Sequence, residues 1–173
     1  QIPEYQSILP NTKVRHLQEA IDPDVYHKEE LTEEDHKKYD CDVLFLGDIY
    51  NPLFHGRKEL FDYLLKEGKD LDIRINGSKQ DKQWIGRDFN AACQCAKINL
   101  GHTGWPDIAI SMSSRDYRVR GSGGFLLTQY VKNIENWFEI GKECDIYKSK
   151  EECLGKIYYW LSEPEKRKNI SDH

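Results

Sequence analysis

Short apolar runs alternate with amphipathic stretches along most of the chain. The run at 42–47, DVLFLG, is almost entirely apolar, which is typical of a strand covered on both faces of a parallel sheet. Residues 57–66 follow with Leu60, Phe61 and Leu64 at the spacing of one helix face. The same patterns predict further strands at 71–77, 98–100, 125–128 and 144–147. They also predict helical segments at 89–96, 114–122, 133–138, 150–161 and 163–167.

The predicted strands and helices follow one another in alternation. Such an order predicts an α/β fold, a parallel sheet with helices on both faces, and right-handed crossovers make it Rossmann-like. We therefore divide the chain into a lead-in or interdomain segment, 1–40, and a Rossmann-like domain, 41–173. Within the lead-in, the sequence predicts a short strand at 13–17 and a capped helical turn at 32–35, and otherwise irregular chain.

The carboxyl ends of the strands are the expected ligand-binding edge of such a sheet, near the point where the strand order reverses. This rule selects four loops, 47–57, 76–79, 101–115 and 128–135. We therefore expect the ligand-binding residues in these loops and not on the faces of the sheet.

One predicted helix leads directly into a buried strand. Ser113 or Ser114 can cap its start, and Gly123 with Gly124 can end it because glycine tolerates positive φ. A helix start that carries two hydroxyls and Arg115 suits a phosphate, since free N–H groups and the helix dipole both favour an anion. An ordinary capped helix with a solvated arginine face explains the same residues.

Two other loops carry candidate anion ligands. Arg57 and Lys58 follow Gly56 at a predicted helix start, where cations oppose the helix dipole. They could hold a diphosphate, or they could form a solvated helix start. His102 lies between two glycines and could hydrogen-bond a sugar or a phosphate, although surface histidines are commoner.

A few side chains near these loops have no assigned role. Trp84 and Trp105 could stack on a base or a sugar, or fill an interface. Asp107 and Asp116 are carboxylates near the same loops, but no spacing pairs them as in a hydrolase. Neither a GxGxxG nor a Walker motif occurs in the chain.

Composition narrows the class of protein. The 173 residues carry a net charge of -5, which argues against nucleic acid as a partner because that needs a basic face. The five cysteines include no CxxC pair, so we expect free thiols in a reducing, cytoplasmic compartment. No apolar run approaches the length of a membrane span, and no signal peptide is expected. No Asp-x-Asp signature is present, so no metal is expected.

Two sequence strings carry a resemblance to a known family. SRDY at 114–117 followed by GSGGFLLT at 121–128 resembles the S-x-R-x-(F/Y)-E-A-x-A-x-G-G-F-L-L-T segment of GT-B glycosyltransferases of the CgeB-like group, which are similar to the large retaining family 4 class. The likeness continues in order at 20–23 (AIDP), 42–47 (DVLFLG), 134–143 (IENWFEIGKE) and 147–167. It therefore covers nearly the whole chain.

The resemblance implies the C-terminal, donor-binding half of a GT-B enzyme that transfers a sugar from a nucleotide-diphosphate sugar. It makes 41–173 a nucleotide-sugar-binding domain. The acceptor domain would be missing, the fragment alone inactive, and no cofactor needed beyond the donor substrate. The implied catalytic residues, which would stabilise the leaving diphosphate, are Arg57, Lys58 and Arg115. The implied donor-binding residues are Gly47, Asn76, Gly77, His102, Ser113, Ser114, Tyr117, Arg118, Gly123 and Gly124.

One position departs from the family pattern. Where the family has a glutamate that holds the ribose hydroxyls, this chain has Arg118, and a guanidinium cannot accept hydrogen bonds. The ribose could be held elsewhere, the donor could differ, or transfer could be lost. The alternatives to a transferase are therefore a catalytically decayed nucleotide-binding or interaction module, and a sugar-nucleotide epimerase.

Overall fold

The computed structural model describes residues 2–15, 17, 19–77, 83–108 and 111–173. The strands are β1 (Cys41–Leu46), β2 (Ile73–Asn76), β3 (Ala96–Gly101), β4 (Leu126–Gln129) and β5 (Asp145–Tyr147). The helices are α1 (Ile2–Ile8), α2 (Glu33–Tyr39), α3 (Arg57–Glu67), α4 (Arg87–Cys95), α5 (Ser114–Gly121), α6 (Lys150–Ser162) and α7 (Pro164–Asp172), with a 3-10 turn at Ile134–Asn136. The predicted α/β alternation is confirmed.

The strands form one parallel sheet in the order β2-β1-β3-β4-β5. The chain leaves β1 in one direction to reach β2, and then returns past β1 to reach β3. The strand order therefore reverses between β1 and β3. The carboxyl ends of these two strands frame the crevice in which doubly wound sheets bind ligands.

Helices cover both faces of the sheet, as predicted. On one face, Phe61 of α3 and Ile157 of α6 pack with Phe45 and Leu127 in the largest apolar cluster. On the other face, α2, α4 and α5 pack in two smaller clusters. Burial on both faces explains why β1 is apolar almost throughout.

The lead-in segment is partly integrated into the domain. Tyr39 of α2 is buried in an apolar cluster with residues of β1 and α4, and Arg87 of α4 forms an ion pair with Asp35 at 2.8 Å. The capped turn predicted at 32–35 is confirmed, since Thr32 and Asp35 form a capping box at the start of α2. The division at residue 40 stays a prediction.

Several predicted boundaries were wrong. α1 lies in a segment expected to be irregular, and no strand forms at 13–15 or at residue 17, while His16 lies outside the described residues. α5 ends at Gly121 with Ser122 as its cap, before the glycine pair, although Gly123 does have the predicted positive φ, 79°. None of the helices in the described part of the chain has the length and apolar composition needed to cross a bilayer.

Candidate functional site

Two guanidinium groups meet in the crevice between β1 and β3. Arg57, the first residue of α3, donates to the backbone carbonyls of Asp48 at 2.8 Å and His102 at 3.0 Å. Arg115, in the first turn of α5, donates through Nη1 to the same His102 carbonyl at 3.5 Å. Its Nε donates to the carbonyl of Leu46. The predicted convergence of these two arginines at one edge of the sheet is therefore present.

Aromatic rings support both cations. The Cζ atoms of Arg57 and Arg115 lie 5.2 and 4.3 Å from the centroid of the Phe45 ring, and Arg57 also lies 3.9 Å from that of Phe54. Such contacts favour a guanidinium by about 2 kcal/mol or more where water is excluded. The rings thus offset part of the cost of removing the two charges from water.

In the part of the chain that the structure describes, this pair of cations has no carboxylate within ion-pair distance. Arg57 is only 3% exposed and Arg115 is half-buried, and their side-chain hydrogen bonds in the described chain go to backbone carbonyls. Burial, reinforced by the charge of Arg115, lowers the pKa of Arg57 to about 10. Burial likewise lowers the pKa of Arg115. The carboxylates of Asp48 and Asp116 offset part of this charge at longer range, and an anion bound at this edge would neutralise more of it.

His102 lies beside the arginines and is itself buried. Burial, together with the charge of Arg57, lowers its pKa to about 4, so the imidazole is neutral at pH 7. A neutral ring offers one N–H donor and one acceptor, which suits a hydroxyl. It lines a cleft of about 600 Å³ of empty space that also reaches Tyr147 and the start of α6.

Asp116, the residue after Arg115, is a buried carboxylate. Its Oδ2 accepts a hydrogen bond from Thr128 Oγ1 at 3.1 Å, while its Oδ1 has no hydrogen-bond partner in the described chain. Burial raises its pKa to about 6, although the charge of Arg115 and the Thr128 hydroxyl oppose that rise. The sequence identifies Asp116 only as a carboxylate near the loops and does not indicate that it is buried.

A groove lies next to the arginine pair, on the β2 side. It encloses about 530 Å³ of empty space. Strand ends, aromatic rings and one guanidinium line it, and the lining residues are Leu46, Gly47, Asn76, Gly77, Tyr26, Gln83, Trp84, Ile85, Gly86, Phe89 and Arg118. The Cζ atom of Arg118 lies 5.3 Å from the centroid of the Tyr26 ring. Sequence reasoning missed Tyr26, because nothing in the lead-in indicates that this segment reaches the sheet edge.

Two glycines allow the groove to form. Gly77 has a φ of 129°, and a Cβ there would lie 3.0 Å from the backbone of Gly47. A Cβ at Gly47 would lie 2.7 Å from Nη2 of Arg115. Asn76 accepts the backbone N–H of Trp84 on its Oδ1 at 3.0 Å, which holds the tryptophan over the strand ends.

The helix start at α5 has the predicted cap. Ser113 is the N-cap residue and accepts the backbone N–H of Arg115 on its Oγ at 3.3 Å, and Ser114 begins the helix. Tyr117 stacks on Phe138 with ring centroids 5.4 Å apart. Its ring therefore packs against the segment after β4.

Three predicted site residues lie apart from this edge or are engaged elsewhere. Lys58 is exposed and forms an ion pair with Asp62 along α3. Gly123 and Gly124 precede β4 and so lie at the opposite, amino edge of the sheet, where a Cβ at Gly123 would lie 2.7 Å from the Lys28 side chain. The reason is that α5 runs back across the sheet, so only its start faces the crevice.

Comparison with known proteins identifies the family. A family model described as glycosyl transferase-like matches residues 57–173, well over half of the chain. No match was found among curated proteins.

Solved structures share the fold at low sequence identity. HepE of Anabaena in complex with UDP and glucose superposes with a TM-score of 0.63 at 12% identity, covering 88% of this chain and 48% of that one. An α1,3-fucosyltransferase with GDP-fucose gives 0.60 at 14%, covering 80% and 40%. A glycosyltransferase from Rickettsia africae gives 0.64 at 10%, covering 88% and 48%.

This chain therefore spans about half of the length of these structures, or less. At such identities the likeness establishes the Rossmann-like fold, and the family model establishes the relationship. The chain belongs to the glycosyl transferase-like family, as a GT-B-type domain.

Proposed function

We propose that this domain binds the nucleotide-diphosphate sugar of a glycosyltransferase, and that the complete protein transfers the sugar to an acceptor held by a further domain. The observation that carries the proposal is the pair of guanidinium groups at the strand-order reversal. Arg57 is buried and Arg115 is half-buried, and their side-chain hydrogen bonds in the described chain go to backbone carbonyls. A diphosphate would add counter-charge at this edge and could accept hydrogen bonds from the remaining N–H groups.

Arg115 and the start of α5 would contact the diphosphate. Arg115 uses Nε and Nη1 for backbone carbonyls, which leaves the N–H groups of Nη2 beside Gly47. The backbone N–H of Ser114, the first residue of α5, adds the positive end of the helix dipole. Arg57 would act mainly by its charge, because both of its terminal nitrogens already donate to carbonyls.

Lys58 could join them only by leaving Asp62. That ion pair is exposed on both sides, so breaking it costs less than about 1 kcal/mol. As the glycosidic bond breaks, negative charge grows on the leaving diphosphate, and cations fixed in advance stabilise it without rearranging. We include in the proposal that this charge replaces a metal ion, and that the five free thiols belong to a cytoplasmic protein.

The base and ribose would occupy the groove beside Trp84. An aromatic ring and the polar strand ends suit a nucleoside, and two of the solved structures named above, HepE and the fucosyltransferase, hold UDP and GDP-fucose. The neutral imidazole of His102 would accept or donate a hydrogen bond to a sugar hydroxyl.

One observation favours a second function, a nucleotide-binding module without transfer activity. Arg118 lines the groove where the family resemblance expects a ribose-binding glutamate. Substitution Arg118→Glu separates the two readings. A gain in nucleotide affinity would indicate a decayed site, whereas a loss would indicate that the guanidinium is part of a working one.

The direct test is calorimetric titration of this chain with UDP and GDP, with and without Mg²⁺. We expect saturable binding that does not require Mg²⁺. Substitution Arg115→Gln removes one charge-assisted contact, so we expect affinity to fall about tenfold or more. The matched control is Arg120→Gln on the same helix, because Arg120 donates to Gly124 and Ile170 carbonyls at the opposite edge. Absence of binding by both nucleotides would refute the proposal.

A further inference from the structure

Three metal-ligating side chains meet where α2 packs against α4, away from the crevice. Asp40 caps the end of α2, His36 lies one turn earlier, and Cys95 is the last residue of α4. His36 Nδ1 lies 2.9 Å from Asp40 Oδ1. One ligand atom from each of the three residues lies within 4.8 Å of the other two.

We propose that His36, Asp40 and Cys95 form a zinc site. Imidazole nitrogen, carboxylate oxygen and thiolate sulfur are the donors that Zn²⁺ takes, at bond lengths of about 2.0 to 2.3 Å. Tetrahedral coordination at these lengths places the donors about 3.5 Å apart. Small side-chain rotations bring the three atoms from their present separations to that geometry, and water completes the fourth position.

The surroundings leave these three ligands available. The neighbouring cations are held by other carboxylates, since Lys38 pairs with Asp88 and Arg87 with Asp35. In the described chain, His36 is the ion-pair partner of Asp40. Replacing the His36–Asp40 contact by metal bonds removes only one exposed hydrogen bond.

Access and burial are also suitable. The side chains of His36 and Asp40 are 51% and 58% exposed, so an ion can reach them from solvent. Cys95 is 8% exposed, which keeps the sulfur shielded behind the two outer ligands. On binding, the thiol proton is released to solvent and the thiolate becomes a ligand.

The site would tie the lead-in to the domain. His36 and Asp40 precede β1, whereas Cys95 directly precedes β3, so the ion would link the segment before the sheet to its second crossover helix. Metal bound only by the folded chain stabilises it by mass action. This effect on stability is independent of the nucleotide proposal.

The test is Co²⁺ titration of the chain without a histidine tag. We expect saturation at one ion per chain, with a thiolate-to-cobalt charge-transfer band that Zn²⁺ abolishes. Substitution Cys95→Ser should remove the band. Substitution His36→Gln should weaken Co²⁺ binding by at least about tenfold, the loss that even supporting residues of metal sites cause.

The matched control is His27→Gln, because the His27 side chain is similarly exposed at 48% and pairs with Glu29, outside the cluster. It should leave Co²⁺ binding unchanged, and circular dichroism should show all three variants folded. Absence of the band with the folded, unaltered chain would overturn the proposal. So would a band that survives Cys95→Ser, or equal effects of the two histidine variants.

Discussion

The substitution Asp116→Asn is expected to stabilise the protein at neutral pH. Asp116 is 4% exposed, and its Oδ1 has no hydrogen-bond partner among the described residues. Burial raises its pKa from the ordinary 3.8 to about 6, despite the opposing charge of Arg115 and the Thr128 hydroxyl. An amide has nearly the same shape, can still accept from Thr128, and carries no charge to desolvate.

The size of the effect follows from proton linkage. Between pH 3.8 and about 6 the folded protein holds a proton that the unfolded chain has released. Stability therefore falls as the pH rises through this window, and it stays lower above it. A shift of about two pKa units at about 1.4 kcal/mol per unit amounts to about 3 kcal/mol. We expect Asp116→Asn to recover up to that amount at pH 8.

Urea unfolding of both proteins at pH 4, 5, 6 and 8 measures this difference. The free energies of unfolding should converge at pH 4 and diverge by pH 8. Asp42→Asn is a control of opposite sign, because burial of Asp42 is outweighed by hydrogen bonds from Lys97 and the Asp72 N–H, which lower its pKa. Equal pH dependence of the unaltered protein and Asp116→Asn, or a net loss of stability at pH 8, would refute the reasoning.

Three further outcomes are expected. Gly101→Ala should lower the free energy of unfolding in urea by about 3 kcal/mol or more, because its Cβ would lie 2.2 Å from Thr128 Oγ1. A Cβ at Gly155 of α6 meets nothing within 4 Å, so Gly155→Ala should raise that free energy by about 1 kcal/mol. Thr32→Ala should cost about 1 kcal/mol in the same assay, because it removes the cap that accepts the Asp35 N–H at 3.2 Å; no loss would mean that the capping box is not formed. The imidazole NMR signals of His102 should show no titration above pH 5, because burial and Arg57 lower its pKa to about 4; a midpoint near 6.5 would contradict its burial.

The fold was predictable because its signals are local. The apolar run of β1 and the helix face around Phe61 identify buried elements from periodicity alone, and their alternation determines the parallel sheet. α1 was missed because it is only seven residues long and contains a proline, and its apolar side chains Tyr5 and Ile8 are exposed and mark no packed face. The early end of α5 depended on Ser122, whose hydroxyl bonds to the Arg118 carbonyl at 2.9 Å, a contact that no letter pattern reveals.

The candidate site was predictable in part, because topology brings strand ends together. The convergence of Arg57 with Arg115 followed from their places after β1 and β3. That the nitrogens of Arg57 bond to backbone carbonyls could not be predicted, since the partners, Asp48 and His102, are 54 residues apart and their carbonyls carry no sequence signature. Gly123 and Gly124 were predicted as site residues from a motif alone. The direction of α5 already implies that they lie at the opposite, amino edge of the sheet.

The two arginines combine a structural role with an electrostatic one. Arg115 bridges the carbonyls of Leu46 and His102, which end β1 and begin the loop after β3, so it fixes the crevice that a ligand would enter. A guanidinium held in this way is already oriented, and little reorganisation is needed when negative charge develops beside it. Lysine keeps the charge but cannot bridge two carbonyls with the same planar geometry. Comparing Arg115→Lys with Arg115→Gln in both unfolding and nucleotide titration therefore separates the contribution of the bridge from that of the charge.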